Sequence, residues 1–280
     1  MGRLEPTGRH VSEVETGKLS DKGVIVAKEG KILKIQFNRP QKLNSINYEM
    51  YDQITNALNE AGNDQSITVT VLCGSGNYFS SGNDLSNFAA AATNPEKVPE
   101  MALQARDVLL RYVGAFVDHP KPLIALVNGP AIGISVTVLG LFDLVIASDT
   151  ATFHTPFASL GQSPEGCSSV TFPQIMGLTR ASEFLLFGKK MTAAEMQRCG
   201  LVNCVIPKGR DTFEREAWAM VREYAQLPPQ SLTLSKKLIR EANREELHRA
   251  NRRECDLLVE RWQSDECKVA IVKFLSRSQS

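Results

Sequence analysis

The sequence predicts an α/β core followed by a helical appendix, on three observations. Short apolar runs of strand character alternate with amphipathic helical patterns up to about residue 207. Beyond Pro228-Pro229 the chain becomes highly charged and reads as helix almost throughout. Within the core a strand-strand-helix order recurs loosely, without a strict sequence repeat.

Val24–Lys28 and Ile32–Phe37 flank Glu29-Gly30, and Leu33, Ile35 and Phe37 alternate with Lys34 and Gln36, which predicts a hairpin. The stretch INYEMYDQITNALNEAG puts Tyr51, Ile54, Leu58 and Ala61 on one helical face. Ile67–Leu72 reads as a strand and residues 86–100 as a loop. Met101–Val117 reads as a helix with Val108, Leu109, Tyr112, Val113 and Phe116 in a stripe. A buried strand, Pro122–Val127, leads through a Gly/Pro turn into an apolar helix expected near Ile132. Leu141–Ala147 and Leu201–Ile206 are further strands, and Thr192 with Glu195 forms a capping-box pattern. The expected division is a disordered arm at 1–22, the α/β core at 23–207 and a helical region at 208–280. In that last region Leu238, Leu247, Leu257, Leu258, Trp262 and Phe274 either pack on the tail's own core or form a subunit interface or lid.

Composition narrows the function classes. Of 280 residues 42% are hydrophobic and 22% charged, a globular profile. A net charge of +1 gives no global field for nucleic acid or an anionic membrane. The most apolar stretch, residues 123–147, is broken by Asn128, Gly129, Pro130 and Asp143, so no membrane insertion is expected. Six scattered cysteines form no CxxC pair, and only four histidines are present, so neither a disulfide framework nor a metal site is expected. The first twenty residues carry too many carboxylates for a transit peptide, and the final Ser-Gln-Ser is not the Ser-Lys-Leu address.

Three segments concentrate turn chemistry: FSSGNDL (79–85), KPLIALVNGPAIGISVTVLG (121–140) and FHTPFASLGQSPEGCSS (153–169). In the first, which follows the apolar run ITVTVLCG, Gly82 lets the backbone bend and Asp84 is placed to cap a helix starting at Leu85. The Asn83 amide is then left to face a cavity. In the second, Gly129-Pro130 turns the strand and Gly133 permits close approach at a helix start. The Ile134 amide lies in that helix's first turn, where N–H groups have no intrahelical acceptor.

These segments, with FNRPQKLNSIN and FGKKMTAAEMQRCGLVNCVIP, resemble the crotonase (enoyl-CoA hydratase/isomerase) superfamily from about Val24 to Phe274. The closer likeness is to its peroxisomal-type Δ3,Δ2-enoyl-CoA isomerases. The resemblance implies a ClpP/crotonase-like fold of repeated ββα units in a spiral core, with C-terminal helices used for oligomerisation. It implies that the Asn83 and Ile134 amides form an oxyanion hole for a thioester carbonyl. The two hydratase glutamate positions hold Thr137 and Phe157 here, whereas Glu165 matches the isomerase glutamate, a base and acid moving a proton from C2 to C4. Acyl-CoA is then the substrate, contacted by Ser81, Gly82, Asn83, Asp84 and Leu85, by Leu43, Asn44 and Gly133, and by Lys273 and Phe274. Phe157 is expected to line the acyl slot, with Phe88, Phe116 and Phe172 as further candidates, although a phenylalanine is more often core than pocket wall. No permanently bound cofactor is implied, coenzyme A being part of the substrate. A homotrimer or dimer of trimers is implied, in the peroxisome or mitochondrion, the peroxisome first. A non-catalytic CoA- or protein-binding module and an acyl-CoA thioester hydrolase are the alternatives. Without the resemblance, Glu165 reads first as an ordinary loop carboxylate capping the next helix, since Pro164 and Gly166 suit a turn.

Overall fold

A computed structural model describes residues 23–88, 95–206 and 209–277. The predicted arm at 1–22 lies outside the described residues.

The hairpin forms as expected, with β1 (Val24–Glu29) antiparallel to β2 (Ile32–Phe37). Four parallel strands extend it: β3 (Val69–Gly74), β4 (Leu123–Val127), β6 (Leu144–Ser148) and β9 (Cys204–Ile206), in the order β1-β2-β3-β4-β6-β9. Both faces of this sheet are covered, which is why its central strands read as unbroken apolar runs. Along β4, Leu123, Ala125 and Val127 enter one core, while Ile124 and Leu126 enter the other. The first core takes helix α1 (Tyr48–Asn63), through Met50, Ile54 and Leu58, and helix α2 (Val98–Asp118), through Tyr112 and Phe116. The second core is closed by Phe213, Ala217 and Val221 of helix α7 (Gly209–Tyr224).

A second small sheet stands beside the first. It joins β5 (Ala131–Ile132), β7 (Thr152–His154) and β8 (Met191–Thr192) in the order β5-β7-β8. A single parallel bridge from Ser80 to Ala131 links it to the turn at 79–85, and another, Ile46 to Asn83, ties that turn to the segment before α1.

Several boundaries differ from expectation. Ile132 is a strand residue, and helix α3 (Ile134–Thr137) begins two residues later and is one turn long. Gly133 separates them because its φ of 61° and ψ of −128° fit neither element. The third strand starts at Val69 rather than Ile67, and β6 starts at Leu144 because Leu141 ends a 3-10 turn. α2 starts at Val98, with proline in its first turn, where a missing N–H costs nothing. The predicted cap at Thr192 opens α6 (Ala193–Arg198) as a full capping box. Between β7 and β8 lie α4 (Ser168–Met176) and α5 (Leu178–Leu185).

The last strand ends at Ile206, and only helices follow among the described residues: α7, then α8 (Pro229–Gln263) and α9 (Asp265–Arg277). The tail packs on the main body rather than on a core of its own. Leu247 and Leu258 of α8 sit in the first core at 5% and 1% exposure, whereas Leu238 is 81% exposed. Arg240 and Lys236 both pair with Asp143, and Lys236 donates to the Lys121 carbonyl at 2.7 Å. No described helix is long and apolar enough to cross a membrane.

Candidate active site

Parallel pairing of β3 with β4, Cys73 opposite Leu126, brings the chain beyond both strand ends side by side. Segments fifty residues apart thereby meet. Asn128 braces them, accepting from the Gly74 amide at 3.1 Å and donating to the Gly76 carbonyl at 3.0 Å. The Phe79 amide donates to the Pro130 carbonyl and the Ile132 amide to the Ser80 carbonyl.

Gly82 has φ +81°, and a Cβ there would lie 2.4 Å from the Ile132 carbonyl oxygen. This contact holds the two turns together and allows only glycine. At Gly133 the reason is different from the expected close approach. A Cβ there would meet nothing within 4 Å, and the left-handed backbone is what favours glycine.

Ile46 donates its amide to Gly82 and accepts from the Asp84 amide, so the N–H of Asn83, between them, points away from that bridge. The Ile134 N–H opens α3. Neither amide has an acceptor among the described residues. Asp84 caps the 3-10 turn Leu85–Phe88 through the Ser86 amide at 3.0 Å, in place of the predicted helix, and pairs with Arg39 at 2.8 Å.

Glu165 is 6% exposed. Its Oε1 accepts from the Thr137 hydroxyl at 3.0 Å, and its Oε2 is buried with no hydrogen-bond partner among the described residues. The Thr137 oxygen also lies 3.3 Å from the Ile134 carbonyl, so one hydroxyl ties the carboxylate to the turn that presents the Ile134 amide. A Cβ on Gly166 would sit 2.5 Å from the same Thr137 oxygen. On the other flank, the Tyr51 hydroxyl donates to the Asn83 side chain at 3.3 Å.

Burial pushes the Glu165 carboxyl up to about 8; the Thr137 hydrogen bond opposes the rise and nearby Glu254 adds to it. Tyr51 and Tyr112 are raised as well, mainly by burial and further by facing Glu165. The site therefore holds a carboxyl group poised to exchange a proton near neutrality, with one oxygen free to do so.

Other predicted residues distribute unevenly. Ser81 and Gly82 lie in the first turn, with the Ser81 amide donating to the Leu43 carbonyl. Leu43 is exposed, but Asn44 is fully buried, and its side-chain amide donates to the Ser75 and Tyr78 carbonyls. The Asn44 side chain is spent on the loop itself. Phe157, Phe116 and Phe172 all lie in the main core. Lys273 is exposed on α9; the side chains of Leu85, Phe88 and Phe274 lie outside the described ones.

Glu165 does not cap the next helix. That task falls to Glu254 of α8, whose two oxygens accept from the Cys167 amide at 2.7 Å and the Ser169 amide at 2.9 Å. Sequence reasoning missed Glu254 among the tail's many charges. Its signal is position: Leu247, Ala250, Asn251, Glu254, Cys255 and Leu258 form one buried helical stripe. Among the described residues no three His, Cys, Asp or Glu side chains converge to hold a metal ion.

The enoyl-CoA hydratase/isomerase family model matches residues 27–280. Enoyl-CoA delta isomerase 2 of Homo sapiens is 53% identical over 281 residues, covering 99% of this chain and 70% of that protein. Enoyl-CoA delta isomerase 3, peroxisomal, of Mus musculus is 46% identical over 256 residues, covering 91% of this chain and 79% of that protein. The crystal structure of an enoyl-CoA hydratase/isomerase from Pseudoalteromonas atlantica T6c superposes with a TM-score of 0.82 at 31% identity, covering 91% of this chain and 98% of that one. This chain spans 64% to 79% of the length of the delta isomerases it matches. The fold is the crotonase fold, and the chain belongs to the enoyl-CoA hydratase/isomerase family.

Proposed function

We propose that this protein is a Δ3,Δ2-enoyl-CoA isomerase, moving the 3-cis or 3-trans double bond of an enoyl-CoA to the 2-trans position in the oxidation of unsaturated fatty acids. The observation that carries the reading is Glu165. It is the buried carboxyl group beside the paired turns, one of its oxygens is unpartnered, and no carboxylate stands at Thr137 or Phe157. Its Oε2 takes the C2 proton of the substrate. The electrons move into a dienolate whose oxygen is held by the Asn83 and Ile134 amides. The same carboxyl group returns the proton at C4. Donors of this kind are worth ~10²–10³ in rate each. Hydration needs a second carboxylate to hold water, and Thr137 and Phe157 supply none.

Acyl-CoA is the substrate and no resident cofactor is required. Leu43, Ser81 and Asp84, on the rim of the first turn, are the coenzyme A contacts the geometry supports, with Lys273 reaching the phosphates. Phe157 walls the acyl slot. The assembly is a homotrimer or a dimer of trimers, supported by the apolar residues Leu234, Leu238 and Ile239 exposed on α8. The compartment is the peroxisome, on the likeness to the mouse relative.

Purified protein given 3-hexenoyl-CoA should develop conjugated-thioester absorbance, while 2-hexenoyl-CoA should not be hydrated. Hydration without isomerisation would overturn the assignment.

A further inference from the structure

We propose that Glu254, delivered from the helical tail, is a positioning residue of the isomerase: with both carboxylate oxygens it holds the turn 165–169 in the conformation that aims Glu165. The proposal rests on the isomerase reading above and extends it to a residue on a different element.

Within the turn the Ser168 amide and hydroxyl both donate to the Glu165 carbonyl, at 3.2 and 2.6 Å, but the Cys167 and Ser169 amides depend on another element. Gly166 has φ +70° and Cys167 φ +62°, two left-handed residues in a row, the second carrying a side chain. A non-glycine residue there costs ~1–2 kcal/mol. The backbone N–H groups of Cys167 and Ser169 open α4 and lack intrahelical acceptors. Glu254 supplies both, at 2.7 and 2.9 Å, and is 5% exposed. The tail grips this segment elsewhere as well. The Cys167 thiol donates to the Leu247 carbonyl at 3.3 Å, and Arg261 Nε donates to the Gly161 carbonyl at 2.9 Å. The loop that carries the base is therefore clamped from α8, across 87 residues of chain at its Glu254 contact.

Glu254 also acts through its charge. The titratable groups facing Glu165 are Tyr51 from α1, Tyr112 from α2, Cys167 on the turn, and Glu254 and Cys255 from α8. Burial raises both tyrosines and both thiols, so they stay neutral in the working range. Glu254 is itself raised by burial, but the two amides and Arg253 favour its ionised form. In its ionised form Glu254 makes Glu165 a stronger base.

The test is Glu254→Gln beside Glu254→Asp in the full-length chain, with 3-hexenoyl-CoA turnover, binding of unreactive hexanoyl-CoA, and the pH dependence of kcat/KM. Glutamine replaces an acceptor with a donor facing an N–H, so kcat should fall ~10–100-fold with hexanoyl-CoA affinity changed less than ~3-fold. Its acid limb should move to lower pH. Aspartate keeps the charge and both acceptors, so it should recover part of kcat and leave the acid limb in place. A folded Glu254→Gln protein with wild-type kcat and an unmoved acid limb would overturn the proposal. If the glutamine variant does not fold, Glu254→Asp decides: reduced kcat at unchanged affinity supports the role, and wild-type kcat refutes it. An inactive wild-type protein would sink the isomerase reading and this one together, whereas an active wild type with indifferent variants would sink only this one.

Discussion

Two buried glutamates lie on either side of one tight turn, and they differ in what their oxygens touch. Glu254 gives each oxygen a backbone amide. Glu165 gives one oxygen to the Thr137 hydroxyl and leaves the other with no partner among the described residues. A satisfied buried carboxylate organises backbone. An unsatisfied one stores a desolvation cost of ~1–3 kcal/mol or more, which substrate chemistry can draw on. On the proposed reading the same residue type serves as framework at 254 and as the base at 165, and the difference lies in hydrogen-bond partners rather than in burial.

The sharpest way to break the contrast is Glu165→Gln. It keeps the shape and the Thr137 contact but cannot take a proton. Turnover of 3-hexenoyl-CoA should fall by ~10³–10⁴, toward the upper range for a positioned base, with acyl-CoA binding retained. Stability should move the other way. Folded Glu165 keeps its proton to about pH 8, whereas an unfolded glutamate releases it near ~4.3. The folded state thus binds the extra proton between those values. Its contribution is full below the unfolded pKa and is lost as pH rises through about 8. Thermal melts should show Glu165→Gln gaining on the wild type from pH 5 to pH 9, by roughly 5 °C. A gap that closes as pH rises would contradict the assigned environment.

Next in size are the two glycines that shape the donors. Gly82→Ala forces a Cβ to 2.4 Å from the Ile132 carbonyl and pushes the turns apart. Its kcat should drop ~10²–10³-fold, the loss expected for one misplaced oxyanion donor. Gly133→Ala meets no neighbour and suffers only backbone strain, so its loss should be smaller. Equal losses in steady-state assays would show that contact between the turns is not what sets the donors.

Much of this was legible in advance, and the misses have physical causes. The hairpin, α1 and the capping box at Thr192 carry strong periodic or capping signals. β5, β7 and β8 are two or three residues long, too short for a period to show. The motif segments pointed to Asn83, Ile134 and Glu165, but motif reading treated Thr137 only as a missing glutamate. In the structure it is the partner of Glu165 Oε1. Glu254 stayed hidden because α8 carries charged residues along its whole length, and only packing reveals which charge faces inward.

Thr137→Val gives the smallest expected effect. It removes the hydrogen bond that opposes the upward shift of Glu165. The acid limb of kcat/KM should move to higher pH, with ~10-fold lower activity at pH 7 and little change well above pH 8. A limb that moves downward would show that Thr137 does not donate to the base.

The central claim is that a single shielded carboxyl group carries one proton between two carbons. It is tested most directly with 3-hexenoyl-CoA deuterated at C2, turned over in ordinary water, with the label at C4 of the product read by mass spectrometry. Deuterium at C4 above the solvent background is the predicted result, because Glu165 Oε2, which takes the proton, is buried. Complete loss of the label to solvent, with a turnover rate that Glu165→Gln leaves unchanged, would contradict it.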